Sequence, residues 1–98
     1  MMFAVLFEDD PARAEMRRRH MDQHRSFLAS NAAAIHAAGP VVDARSGEPA
    51  GGLWLVEAKN LDAVLALYEQ DPLWPTGLRK SVRVLEWRRV FADGRNLP

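Results

Sequence analysis

Two histidines in the first third of the chain are the residues best suited to do chemistry. His20 and His24 stand four residues apart in a segment, 11–37, that has no internal Gly or Pro after its first residue. A spacing of four puts both side chains on one face of a helix. Histidine titrates near neutral pH, so His24, near the middle of the inward face, is suited to act as a general acid or base. The structural alternative is a core histidine bonded to a backbone carbonyl.

Metal binding is another possible role for this pair. Two imidazoles four residues apart on a helix can hold one metal ion, but the third ligand of a recognised zinc motif is missing. The chain has no cysteine, which excludes disulfides, thiolate metal sites, iron–sulfur clusters and a cysteine nucleophile. It also has no Gly-x-Gly-x-x-Gly run for a nucleotide cofactor. We therefore expect no metal and no cofactor, and we expect His20 to line a pocket or an interface.

An arginine and a tryptophan are the candidates for binding a substrate beside these histidines. Arg17, Arg18 and Arg19 are consecutive, and at 100° per residue only Arg17 turns toward the face that carries the histidines. A guanidinium group can hold an anionic substrate by a bidentate contact. Trp74 follows Asp71 in a loop and is the best candidate for covering a ligand.

The composition is that of one soluble globular domain. The 98 residues are 48% hydrophobic and 27% charged, and 13 Lys+Arg balance 13 Asp+Glu. A net charge of zero argues against nucleic acid or anionic lipid as a partner. Apolar runs such as Met1–Phe7 are far shorter than the ~20 residues that span a bilayer, and no basic segment precedes this one as in a signal peptide. We expect a cytoplasmic protein that gains stability from an oligomeric partner.

Apolar periodicity and turn residues divide the chain into six elements. An apolar run that stops at Asp9 predicts an interior first strand, and Asp10-Pro11 predicts the cap and first turn of a long amphipathic helix. Gly39-Pro40 is expected to end that helix, and Asn60 to cap a second one that ends before Asp71-Pro72. The predicted strands are 2–8, 41–43, 53–58 and 81–90, the helices are 11–37 and 61–70, and the tail 91–98 extends the last strand.

The order βαββαβ predicts an α+β, ferredoxin-like fold. A four-stranded antiparallel sheet then carries two helices on one face. The other face would expose apolar residues of the strands at Leu53–Val56 and Val82–Trp87. Because monomers rarely expose such a surface, we expect a homodimer formed through it.

Several short motifs, in this order and spacing, resemble those of the YCII-related family. They are His24 in the first helix, Ala38-Gly39-Pro40, Gly52, Val56-Glu57-Ala58, Asp71-Pro72 and Gly77-Leu78. The resemblance covers residues 2–88 and implies a single domain over 1–98, with its core at about 2–90, that dimerises as an α+β barrel. It also implies a pocket in which His24 is the histidine, Asp71 the aspartate and Arg17 the basic residue. Met21 departs from the family pattern, in which arginine often holds that position.

What the resemblance implies about function is a small cofactor-independent lyase or isomerase. A few relatives are linked to dehydrochlorination of chlorinated hydroxyquinols, and similar barrels isomerise muconolactone. His24 would move a proton on a cyclic hydroxylated or lactone-like substrate, Asp71 would orient His24 and Arg17 would attract the charge. The alternative is a non-catalytic dimeric module that binds a small ligand or a protein. A monooxygenase-like barrel is supported by fold analogy alone.

Overall fold

A four-stranded antiparallel sheet forms the centre of the computed structural model, which describes residues 1–98. Its strands are β1 (Met2–Asp9), β2 (Ile35–Val42), β3 (Pro49–Glu57) and β4 (Arg79–Glu86). They lie in the order β2-β3-β1-β4, so the apolar first strand is interior, with antiparallel neighbours on both sides. This order and the placement of the helices between the strands confirm the predicted ferredoxin-like α+β fold.

Three helices connect the strands: α1 (Glu15–Arg19), α2 (Met21–Ser30) and α3 (Leu61–Tyr68). Short 3-10 turns lie at 11–13 and 74–76. Both predicted caps are present: the Asp10 carboxylate accepts a hydrogen bond from the Ala12 N–H, and the Asn60 side chain accepts one from the Ala63 N–H, each at 2.9 Å. None of the helices combines the length and the apolar character that a membrane crossing needs.

The core lies on one face of the sheet, where α2 and α3 cover it. Alternation along β1 buries every second side chain. The buried cluster consists of Phe3, Val5, Phe7, Ile35, Trp54, Val56, Val64 and Tyr68. Phe7 lies at its centre, with edge-on contacts to Trp54 and Tyr68 at centroid distances of 5.1 and 5.7 Å. Phe27 and Leu28 of α2 pack against this cluster, so α2 is fixed relative to the sheet.

The single long helix predicted for 11–37 is wrong, because the segment breaks at His20 and ends at Ser30. His20 leaves helical geometry, with φ −111° and ψ 15°, between α1 and α2. Asn31 ends α2, and its side-chain N–H donates to the Phe27 carbonyl oxygen at 2.8 Å. Asparagine side chains bond readily to nearby backbone groups and so favour helix ends over helix interiors, a signal that the assignment from Gly39-Pro40 does not include.

The second strand begins at Ile35 and contains Gly39-Pro40, which does not end a helix. Ile35 pairs with Val56 of β3, and this pairing overrides the helix propensity of Ala32–Ala34, which form a turn. Proline has no N–H to donate, so it is confined to positions such as edge strands, and β2 is an edge strand.

The third strand extends back into the predicted loop and begins at Pro49. Gly51 permits this, since its φ is +121° and a Cβ there would collide with the Phe7 carbonyl oxygen. Only glycine lets β3 approach β1 so closely at this point.

The end of the chain also differs from the prediction. β4 runs from Arg79 to Glu86, and the tail does not extend it. Instead β5 (Phe91–Ala92) pairs with β6 (Arg95–Asn96) in a separate hairpin. Asp93 and Gly94 between them both have positive φ, as in the two-residue turn that Asp-Gly favours.

Candidate active site

Asp71 is held in the turn that leaves α3. It is 1% exposed, and its Oδ1 accepts a hydrogen bond from the Leu73 N–H at 3.0 Å, which fixes the turn. The Asp71 N–H donates to the Tyr68 carbonyl oxygen at 3.1 Å, and the Trp74 N–H donates to the Asp71 carbonyl oxygen at 2.8 Å. The helix stop that the sequence suggested for Asp71-Pro72 is therefore the structure that positions the carboxylate.

His24 meets this carboxylate from the middle of α2. Its Nδ1 lies 2.8 Å from Asp71 Oδ1, and the residue is 6% exposed. An ionised carboxylate only accepts hydrogen bonds, so the proton in this contact belongs to Nδ1. Nε2 makes no hydrogen bond to the protein, so in the neutral imidazole with its proton on Nδ1 the Nε2 lone pair is free. Such an imidazole, with its tautomer fixed by a carboxylate, is the arrangement of a general base.

A buried arginine lies on the other side of the same carboxylate. The side chain of Arg79 is 2% exposed, and its Nη2 lies 3.4 Å from Asp71 Oδ2. Its guanidinium carbon is 3.8 Å from the centre of the Phe7 ring and 5.3 Å from that of Trp54, within the range of cation–π attraction. Burial lowers the pKa of Arg79 to about 10, against the opposing effect of the Asp71 charge.

These groups open on a cavity of about 250 Å³ beside α2. Its lining consists of Arg17, Met21, His24, Arg25, Leu28, Ala38, Gly39, Pro40, Gly52, Trp54 and Arg79. Pro40 of β2 pairs with Gly52 of β3, and the glycines leave the space that larger side chains would fill. Apolar walls with a few converging polar groups are typical of a small-molecule site.

A second acid–arginine pair borders the cavity. Arg17 Nη2 donates to Asp9 Oδ2 at 2.6 Å, and the two side chains are 20% and 16% exposed. Arg17 lines the cavity, as expected of a residue that attracts a substrate anion, but the structure shows it already bonded to a carboxylate.

Comparison with known families identifies this domain. The family model of the YCII-related domain matches residues 1–88 of the chain. The chain belongs to the YCII-related family. This confirms the assignment from the ordered motifs, although no curated protein matches the chain by sequence.

The YCII-related chain is also similar to a solved structure. That structure is 5-chloro-2-hydroxyhydroquinone dehydrochlorinase from Burkholderia phenoliruptrix in complex with 2,5-dihydroxybenzoquinone. Sequence identity is 27%, the alignment covers 90% of this chain and 94% of that chain, and the TM-score is 0.79. The similarity therefore extends over nearly the whole of both chains.

Two residues predicted to bind substrate do not line the cavity of this YCII-related domain. His20 lies at the break between α1 and α2 and is not among the residues that line the cavity. Trp74 packs against Tyr68, with ring centroids 4.9 Å apart. Of the predicted site residues, the structure brings together His24 and Asp71 directly and places Arg17 on the same cavity.

Arg79 is the site residue that sequence reasoning missed. Simple alternation along β4 puts position 79 with Arg83 and Leu85, on the face of the sheet without helices. The register between β1 and β4 shifts between Glu8 and Asp9, so Asp9 pairs with Arg79 and the alternation is interrupted. The strand pairing, rather than the sequence of β4 itself, reveals that this arginine faces the core.

Proposed function

We propose that this YCII-related domain is a cofactor-independent lyase in which His24 removes a proton from a small cyclic hydroxylated substrate. The observation that carries the proposal is the buried 2.8 Å contact between His24 Nδ1 and Asp71 Oδ1 at the wall of the cavity. A base of this kind needs no metal or nucleotide to move a proton. The similarity to a dehydrochlorinase supports elimination as the reaction class.

The proposed chemistry balances without an external oxidant. For a chlorinated hydroxyquinol, His24 Nε2 takes the proton of one ring hydroxyl, and the carbon that bears chlorine is protonated as that oxygen becomes a carbonyl. Loss of a second hydroxyl proton then drives the carbon–chlorine bond electrons onto chloride. The ring is oxidised to a hydroxyquinone, the carbon–chlorine bond is reduced to carbon–hydrogen, and HCl is released.

Asp71 acts through His24 in this scheme. Its carboxylate holds the Nδ1–H tautomer, which leaves the Nε2 lone pair available, and it stabilises the imidazolium that forms when Nε2 takes a proton. The turn that holds Asp71 is stabilised by the Leu73 N–H, so the carboxylate does not have to move during the reaction.

Turnover of 5-chloro-2-hydroxyhydroquinone tests the proposal. The protein is incubated with this compound without oxygen, and both chloride release and hydroxyquinone absorbance are followed. We expect turnover by the unaltered protein and a roughly 100-fold or greater loss in His24→Gln, the effect of removing a general base. His36→Gln is the matched control, because His36 is exposed and pairs with Glu57 at 3.0 Å, outside the cavity. Equal turnover by His24→Gln would contradict the assigned base.

Incubation with muconolactone separates the remaining alternatives. If the domain is a lactone isomerase, it should convert muconolactone without chloride release, and the conversion should depend on His24 in the same way. The non-catalytic module predicts binding of such compounds without conversion of either one.

We further propose that the domain is a homodimer formed through the sheet face without helices. An apolar hollow on that face is lined by Ala4, Leu53, Leu55, Leu85, Glu86 and Trp87, and Leu85 and Trp87 are 41% and 45% exposed. An exposed apolar surface of this kind is typical of an interface.

Sedimentation equilibrium tests the dimer. We expect a dimer at micromolar concentration and a shift to monomer in Leu55→Glu, which places a charge on the proposed interface. The matched control is Leu61→Glu, because Leu61 is exposed on α3, away from that face. A monomeric unaltered protein would contradict the proposal.

A further inference from the structure

The cavity contains a buried cation for which the proposed proton transfer gives no role. Arg79 is 8% exposed, and its Nε and Nη1 are buried without a hydrogen-bond partner. Buried donors are normally satisfied, and leaving a charged one unpaired is costly. Its remaining nitrogen, Nη2, lies 3.4 Å from Asp71 Oδ2, which is close enough for charge attraction but leaves Asp71 Oδ2 without a hydrogen bond. The guanidinium group therefore has buried donors that no other group of the protein satisfies.

The charges around the cavity favour an anion as the missing partner. Three arginines line the cavity, Arg17, Arg25 and Arg79, and no carboxylate does. Asp9 pairs with Arg17, while Asp71 divides its single charge between His24 and Arg79. With His24 neutral, the three cations outnumber these two carboxylates, so the cavity is positive in a chain whose formal net charge is zero.

We infer that Arg79 is the anion-binding group of this cavity and that the ligand class is a planar ring compound carrying an ionised oxygen, as an enolate, phenolate or carboxylate. The inference rests on the proposed function in so far as the cavity is the reaction site. An oxyanion in the cavity would form charge-assisted hydrogen bonds with a guanidinium group whose donors are otherwise unsatisfied. Trp54 and Leu28 supply apolar wall for the ring.

The position of Arg79 also suits it to the proposed reaction. Its guanidinium is held between the Phe7 ring at 3.8 Å and the Asp71 carboxylate, so it is preorganised and loses little freedom when a ligand binds. A hydroxyl that loses its proton to His24 becomes an oxyanion, and a fixed buried cation stabilises that charge more strongly than water does. Arg79 and His24 would thus act on the same ionisable oxygen or on two oxygens of one ring.

Calorimetric titration with 2,5-dihydroxybenzoquinone tests the inference. Its two hydroxyls behave as vinylogous carboxylic acids and are ionised at neutral pH, and the chain has no cysteine thiol for the quinone to alkylate. The neutral comparison is 2,5-dimethoxybenzoquinone, and benzoate tests whether a carboxylate serves as well as an enolate. We expect the dihydroxy compound to bind and the dimethoxy compound to bind at least tenfold more weakly, as for the loss of charge-assisted hydrogen bonds.

Variants assign this affinity to Arg79. We expect Arg79→Gln to raise the Kd of 2,5-dihydroxybenzoquinone roughly tenfold to a hundredfold. Arg79→Lys keeps the charge but not the planar donor group, so its Kd should lie between those of the unaltered protein and Arg79→Gln. Arg18→Gln is the matched control, because Arg18 is an exposed arginine outside this cavity. Wild-type affinity in Arg79→Gln, or equal binding of the dihydroxy and dimethoxy compounds, would overturn the inference.

Two further measurements keep this test independent of folding and of the proposed reaction. The first is NMR of the unaltered protein, in which the Arg79 Nε–H resonance is assigned by its correlations with the other Arg79 side-chain nuclei. This resonance should shift on addition of 2,5-dihydroxybenzoquinone but not of the dimethoxy compound. An unchanged resonance at saturation would overturn the inference even if Arg79→Gln does not fold. His24→Gln should retain most of the anion affinity while losing turnover. If anion binding depends on Arg79 but the protein shows no turnover, the proposed function is contradicted and the anion-binding site is supported.

Discussion

The two acid–arginine pairs beside the cavity contain the same residue types but differ in burial and in the hydrogen bonding within each pair. Arg17 and Asp9 form a hydrogen-bonded pair at 2.6 Å with both side chains partly exposed. Arg79 and Asp71 lie 3.4 Å apart with both side chains almost fully buried, and the better hydrogen bond of Asp71 goes to His24. In the first pair each charge is hydrogen-bonded to the opposite charge, and Asp9 Oδ1 is the one buried atom of the pair without a partner. The second leaves an imidazole and a guanidinium group that each have unused capacity toward the cavity.

This difference indicates which pair belongs to the chemistry. A partly exposed pair contributes little to stability because water screens its charges, and the Arg17 guanidinium group is already hydrogen-bonded to Asp9. A buried pair carries a desolvation cost that its attraction only partly offsets, as the lowered pKa of Arg79, at about 10, reflects. Perturbed, buried titratable groups in a cavity are characteristic of functional sites. The same substitution made in each pair should therefore have a larger effect on turnover, stability and anion binding in the buried pair.

The largest expected effect is on turnover in Asp71→Asn. Asparagine can donate to His24 Nδ1 and so favour the tautomer with the proton on Nε2, which removes the base from the cavity. We expect turnover of 5-chloro-2-hydroxyhydroquinone to fall roughly 10²–10⁴-fold, as for loss of general base catalysis. Asp9→Asn, the same substitution in the other pair, should keep turnover within about threefold. Equal losses in the two variants would remove the distinction between the pairs.

The next effect is on stability. Removing the Asp71 charge leaves the buried Arg79 without its main counter-charge, so Asp71→Asn should lower the free energy of unfolding by about 3 kcal/mol. Asp9→Asn removes a partly exposed pair and should lower it by about 1 kcal/mol or less. Urea denaturation followed by circular dichroism measures both. A larger loss in Asp9→Asn than in Asp71→Asn would contradict the assignment of the buried pair.

A third effect concerns pH. Only protonated Arg79 attracts an anion, and burial lowers its pKa to about 10, with Asp71, Asp9 and Arg17 as the charged groups that face it. The Kd of 2,5-dihydroxybenzoquinone should be constant well below this pH and rise as the pH passes through about 10, by up to roughly tenfold per pH unit. Arg79→Lys should change the position of this rise, whereas Arg18→Gln should not. A Kd that stays flat from pH 8 to pH 11, in protein still folded by circular dichroism, would contradict the role of the arginine charge.

The smallest effect is expected from Arg17→Gln. Because Asp9 already holds this guanidinium at 2.6 Å, the substitution should raise the Kd of 2,5-dihydroxybenzoquinone by about threefold or less, mainly through the loss of long-range attraction. Calorimetric titration beside Arg79→Gln gives the comparison. A larger increase in Arg17→Gln than in Arg79→Gln would reverse the roles that we assign to the two arginines.

The fold could be predicted from the sequence because its main elements have local causes. The apolar run of β1 and the caps at Asp10 and Asn60 are local signals that neighbouring residues decide. The end of α2 at Ser30 was not predicted, because the pairing of Ile35 with Val56 is a long-range contact that outweighs helix propensity. The tail, by contrast, carried an Asp-Gly turn signal that the prediction did not use.

The candidate site was predictable to a lesser degree. Spacing singled out His24, but its contact with Asp71 joins residues 47 positions apart, and only the family resemblance implied it. Arg79 was hidden by the register shift opposite Asp9, which interrupts the alternation along β4. The break between α1 and α2 at His20 could not be predicted, because no Gly or Pro marks it in the sequence. Sites assembled from distant segments depend on such details of pairing.

Nitrogen-15 NMR of the His24 ring tests the central claim most directly, since chemical shifts of the two ring nitrogens report which one carries the proton. When the His24 imidazole is neutral and no ligand is added, we predict a protonated Nδ1, bonded to Asp71, and an unprotonated Nε2 that faces the cavity. The same measurement on Asp71→Asn should show the proton on Nε2. A proton on Nε2 in the unaltered protein would mean that His24 has no free base for the substrate, and the account of Asp71 as its positioning residue would be wrong.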